Sequence, residues 1–182
     1  MDSVVDHVML NDVIAAYGRH CRALREAEIT KLGVAPELLK FNSERKLFQV
    51  MAGAVLFSGP HFEFDPTGTH SALIFVCLDE DRVVADLAAW KPSTKQLGLW
   101  LGRVTMLGEE NVLAPHVGES LRVHDTPLEW LQDDRRGVVL IDAPGSLQLL
   151  YAASPISVSS FAVRSALMGA WRTRFPDIRV RA

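Results

Sequence analysis

The sequence predicts an α+β fold: a mostly antiparallel sheet built around a central hairpin, covered by helices, with a mainly helical N-terminal region and an amphipathic C-terminal helix. Three observations carry that expectation. Apolar residues recur at helical steps near both ends of the chain, two apolar runs in the middle are separated by four polar residues, and no internal repeat or low-complexity tract interrupts the 182 residues. At 48% apolar and 23% charged, the chain has the composition of one folded domain, residues 1–182, large enough to bury a core. Neither a metal nor a cofactor is expected to be needed for folding.

The elements follow in order. Leu10, Ile14, Tyr17, Cys21 and Leu24 recur at steps of four and three, one face of a helix running over residues 10–28 and ending before Gly33. Pro36 suits the first position of a short second helix, and Asn42 or Ser43 can cap a third that carries Leu47, Phe48 and Met51. Residues 1–55 thus read as mainly helical. Turn chemistry at Ser58-Gly59-Pro60 and Asp65-Pro66-Thr67-Gly68 then brackets Phe62-Glu63-Phe64. Residues 71–78 and 83–90 form the hairpin, joined by Asp79-Glu80-Asp81-Arg82, and the near-continuous apolar character of the first strand predicts cover on both faces. Ser93-Thr94-Lys95-Gln96 has capping-box spacing before Leu97, Trp100, Leu101 and Val104, which predicts a helix. Thr126-Pro127-Leu128-Glu129 predicts another, residues 138–142 a buried strand, and Leu147, Leu149, Leu150 and Tyr151 a further helix. From Ser157 a last helix places Val158, Phe161, Met168, Trp171 and Phe175 on one apolar face until Pro176 stops it.

Charge is segregated along the chain. From Tyr151 onward Arg164, Arg172, Arg174, Arg179 and Arg181 face Asp177 alone, a surplus of four positive charges, whereas the first 150 residues carry seven net negative charges within a total of −3. Such a basic end suits an anionic partner or a self-complementary interface. The longest apolar run, residues 72–78, is far below the roughly 20 residues that cross a bilayer. No basic stretch leads into an apolar one at the start, so a cytoplasmic location is expected, with Cys21 and Cys77 as free thiols.

Asp86-Leu87-Ala88-Ala89-Trp90, Leu107-Gly108-Glu109-Glu110-Asn111, Thr126-Pro127-Leu128-Glu129-Trp130-Leu131 and Gly137-Val138-Val139-Leu140 resemble segments of uncharacterised bacterial proteins found among prophage and mobile-element genes. The resemblance spans about a third of the chain. It implies a setting near nucleic acid and brings no assigned activity with it.

The motifs exclude more than they assign. Residues 139–145 look like a GTPase switch strand, yet no Gly-Lys-Ser/Thr phosphate loop accompanies them. His124-Asp125 lacks a nucleophile elbow among Ser154, Ser157, Ser159 and Ser160. His61, Glu63, Asp65 and His70 could approach around a turn, but a solvated loop is the preferred reading and no metal site is assigned. Asp86 lies inside an apolar strand, where a carboxylate is either on a solvated face or buried and partnered. Two function classes result. The first is a non-enzymatic binding or accessory protein that engages a protein partner, a second copy, or nucleic acid through Arg164, Trp171 and Arg172; the alternative is a small hydrolase or nuclease using Asp86, His124 and Asp142.

Overall fold

The computed structural model describes residues 3–43, 48–68, 71–113, 120–153 and 155–174. Helix α1 (Ser3–His20) leads into strand β1 (Cys21–Ala23), helix α2 (Glu26–Leu32) and a 3-10 turn at Pro36–Leu39. Strands β2 (Met51–Ser58), β3 (His61–Phe64), β4 (Ser71–Leu78), β5 (Val84–Lys91) and β6 (Gln96–Leu99) follow. The chain continues through β7 (Met106–Leu107), a 3-10 turn at Glu109–Asn111, β8 (Leu121–His124), α3 (Pro127–Gln132), β9 (Val138–Leu140), α4 (Ala143–Ala152), β10 (Ile156–Val158) and α5 (Phe161–Arg174).

Helices and strands are both present, and the predicted hairpin is there. β4 and β5 pair antiparallel with Leu73 opposite Trp90 and Cys77 opposite Asp86. Their turn is held by Asp79, whose Oδ1 accepts the N–H groups of Asp81 and Val83 at 3.0 and 2.9 Å. Both faces of β4 are covered, as its apolar run requires.

The sheet around that hairpin is largely antiparallel, as expected, but it is closed and not purely antiparallel. β2 pairs with β3 over Val55 to Ser58 and with β4 over Met51 to Ala54, so the order β2-β3-β6-β5-β4 returns to β2 and closes a barrel. One junction, His61 opposite Leu99, is parallel, which makes the barrel mixed. A second sheet, in the order β10-β8-β9-β7, has parallel pairings between β10 and β8 and between β8 and β9. Its helices explain this: α3 crosses from β8 to β9 and α4 from β9 to β10, and a helical crossover returns the chain in the same direction.

Four predicted helices are corrected as well. The first ends at His20, because Cys21 to Ala23 extend to pair with Gly53 to Met51. Met51 opens β2 instead of closing a third helix, and residues 44–47 of that predicted helix lie outside the described region. The capping-box spacing at Ser93 belongs to a tight turn with Lys95 at φ 56°, after which Gln96–Leu99 pairs with β5. Gly98 shows why a strand fits there: a Cβ on it would stand 3.1 Å from the Pro60 carbonyl oxygen. The last helix begins at Phe161, since Ile156–Val158 joins the second sheet. The helix predicted from Thr126 is present, with the Thr126 hydroxyl accepting the Glu129 N–H.

Three packed clusters organise the interior. α1 places Val13 and Tyr17 against Ile74, Leu87 and Ala89 on one side of the hairpin. On the other side Leu73, Phe75, Ala88 and Trp90 share a core with Trp130 and Leu131 of α3 and with Leu107 and Val139 of the second sheet. The far face of that sheet packs Met106, Leu121 and Val138 against Leu150 of α4 and Val163 of α5.

Candidate functional site

The three groups that the sequence singles out for chemistry are held by different parts of the framework. Asp86 is fully buried on β5, where Oδ1 accepts the N–H groups of Leu87 and Leu101 at 2.7 and 2.9 Å and Oδ2 accepts that of Arg103 at 2.9 Å. These bonds pin the loop after β6 to the barrel. His124 ends β8, with Nε2 at 2.9 Å from the Arg136 carbonyl and 3.4 Å from Asp133, whose carboxylate also accepts from Arg122. Asp142 is exposed before α4, and its carbonyl accepts the Ser146 N–H and hydroxyl. Among the described residues, no hydrogen bond or ion pair joins any two of the three. Nor does any group of three His, Cys, Asp or Glu among those residues have the arrangement to hold a metal ion. His70, of the turn cluster considered above, lies outside the described residues.

Two further buried acids had no sequence signal. Glu109 accepts the Thr105 N–H at 2.9 Å, while burial raises its pKa above the ordinary carboxylate range. Glu110 is also buried, and its Oε2 has no hydrogen-bond partner among the described residues. Burial pushes the Glu110 carboxyl up to about 7, with neighbouring Glu109 adding to the effect and the positive charges of Arg82 and Arg135 opposing it.

Residues 107–111, 126–131 and 137–140 meet at the junction between barrel and second sheet. Gly108, at φ 82°, lies so close to the Gly137 carbonyl that a Cβ would stand 2.5 Å from its oxygen. The same oxygen accepts Trp130 Nε1–H at 3.0 Å and Asn111 Nδ2–H at 2.9 Å. Arg135, nearly buried, stacks over Trp130 and donates to the carbonyls of Leu38 and Phe48. Packing and hydrogen bonding therefore account for these residues.

The C-terminal face is built differently. On α5 the stripe Val163, Leu167 and Ala170 turns inward, leaving the predicted apolar stripe in water: Phe161 is 78% exposed, Met168 47% and Trp171 39%. Arg164 and Arg172 are exposed beside it. Helix geometry puts Arg164, Met168 and Trp171 on one line, at steps of four and three. Across from them Tyr151 of α4, 72% exposed, stacks on Trp171 with ring centroids 6.1 Å apart. Leu147, Leu150, Ile156 and Leu167 complete the lining of a groove of about 460 Å³. β10 runs alongside as the outermost strand of its sheet, with all three residues exposed. The side chain of Arg174, and all of Phe175, Arg179 and Arg181, lie outside the described residues.

The sequence singles out Trp171, Arg164 and Arg172 on this face but not Tyr151 and Ile156, which the structure places beside them. The available signal was the width of the apolar arc on α5, which holds two adjacent stripes where a packed helix buries one. Comparisons with protein-family models, with curated proteins and with solved structures find no match.

Proposed function

We propose that this protein is a non-enzymatic binding module that engages an acidic, apolar segment of a partner protein across the α4–α5 face. The observation that carries the reading is the exposure of the Phe161, Met168 and Trp171 side of α5 beside an apolar groove. Contiguous exposed apolar surface rimmed by polar groups is characteristic of interaction sites, and Trp, Tyr and Arg are the side chains that most often anchor them. Charge selects the partner. From residue 143 to residue 174 the chain holds three arginines and no carboxylate, so an acidic segment complements the face. A second copy would offer the same carboxylate-free surface and leave those arginines unpaired, which makes self-association the weaker reading. The hydrolase or nuclease alternative gains no support from the separate settings of Asp86, His124 and Asp142.

The test is a titration of the protein with a labelled amphipathic helical peptide bearing Leu on one face and Glu on the other, read by fluorescence anisotropy. Saturable binding is expected, weakened about tenfold or more by Trp171→Ala and by the pair Arg164→Glu and Arg172→Glu. Light scattering on the free protein and a parallel titration with duplex DNA separate the rivals. Binding of DNA but not peptide, or a dimer abolished by Trp171→Ala, would overturn the proposal.

A further inference from the structure

A second cleft, on the opposite functional footing, lies between α2 and the start of β4. It has a volume of about 390 Å³ and an apolar floor made by Leu24, Leu32 and Leu73. Lys31, Lys91, Ser71 and Ser93 line it as well. Neither lysine has a hydrogen bond or ion pair with a carboxylate among the described residues. Glu28 lines the cleft too, but its carboxylate is already engaged. Glu28 accepts Arg22 through both oxygens, at 2.6 and 2.8 Å, and also the Arg25 N–H at 2.8 Å. An adjoining cleft of about 440 Å³, which shares Ser71, has Arg19 in its lining, whereas the Arg22 that also lines it is already paired with Glu28.

The walls are also fixed in place. The Arg25–Glu28 contact caps the start of α2, and Gly33 in the left-handed region at φ 66° closes its end, while Leu73 is held between two strands, opposite Trp90 of β5 and Ala52 of β2. A mostly apolar, preformed concavity with a few polar groups at its edge is the usual form of a small-molecule site. Inorganic phosphate would waste the floor, and a neutral hydrocarbon would waste the lysines.

From these features we infer that the cleft binds a small organic anion with an apolar body, an alkyl or aromatic carboxylate, with the carboxylate held between Lys31 and Lys91 and the body on Leu24, Leu32 and Leu73. This is independent of the α4–α5 face.

Calorimetric titration of the full chain with decanoate, below its micelle-forming concentration, and with naphthoate tests it and distinguishes the two bodies. The expected result is one-site binding of at least one of them. The pair Lys31→Glu and Lys91→Glu should weaken it by about tenfold or more, while Lys31→Arg with Lys91→Arg retains it. Both lysines are solvent-facing enough that thermal unfolding of the variants should match the parent. Trp171→Ala should leave binding intact, which separates this site from the groove on α5. Equal affinity for decanol, binding unchanged by the charge reversals, loss in Trp171→Ala alone, or no binding of either carboxylate would each overturn the assignment.

Discussion

Asp86 illustrates how one residue can carry a choice that the sequence states but does not resolve. A carboxylate in an apolar strand is either solvated or fully partnered; here it is buried, and its partners are N–H groups as far away as Arg103. Backbone donors have no residue signature, so the outcome was not legible. Asp86→Asn would turn an amide N–H toward the Arg103 or Leu101 donor, and a loss of about 2–4 kcal/mol in urea-induced unfolding is expected. Glu110 makes a prediction of opposite character. Its folded-state pKa, raised by burial to about 7 from 4.5, means that the folded protein holds this proton more tightly than the unfolded chain. Stability should therefore be greatest below about pH 4.5 as far as this group is concerned, and fall as pH rises through about 7, by on the order of 3 kcal/mol. Glu109 is shifted in the same direction. Denaturant unfolding of Glu110→Gln between pH 5 and 8 should show a flatter profile than the parent, and identical profiles would refute the linkage.

At the scale of elements, legibility tracked how far an element's pattern is decided locally. The helix from Thr126 was readable because its cap, proline and Glu129 act within one turn, and the central hairpin because its two runs flank a polar turn. β2 and β6 were misread as helix. Ala52-Gly53-Ala54 and Gly98 owe their strand state to close neighbours, Ile74 and the Pro60 carbonyl, that only the folded barrel supplies. On α5 the existence of the helix was legible and its buried face was not, because two apolar stripes compete and the position of α4 decides between them. Paired substitutions test the face. Val163→Asp puts a charge into the cluster with Leu150 and Val138 and should lower the Tm by roughly 10 °C, whereas Met168→Asp should change it little. Equal effects would mean that the wrong stripe has been assigned to water.

For the whole molecule, the shared core decides whether barrel and second sheet behave as separate bodies. Trp130 and Leu131, Leu107 and Val139 are packed with Leu73, Phe75 and Trp90, so neither sheet keeps its interior without the other. One cooperative transition is expected, with tryptophan fluorescence and far-ultraviolet circular dichroism giving coincident curves; two separated transitions would contradict this. The closed barrel and the parallel second sheet were the least legible features. Both depend on which strands meet over long sequence separations, as β2 does with β4, and periodicity reports only what each strand is like.

The carboxylate-free stretch from residue 143 to residue 174 has a kinetic consequence. With the negative charge concentrated in the rest of the chain, an acidic partner approaching from most directions is repelled and one approaching α5 is drawn in. Encounter is thus oriented before contact. In the proposed complex, Arg164 and Arg172 would govern how fast it forms and make that rate fall with salt, while Trp171, Tyr151 and Met168, which act only after water has left the groove, would govern how long it lasts.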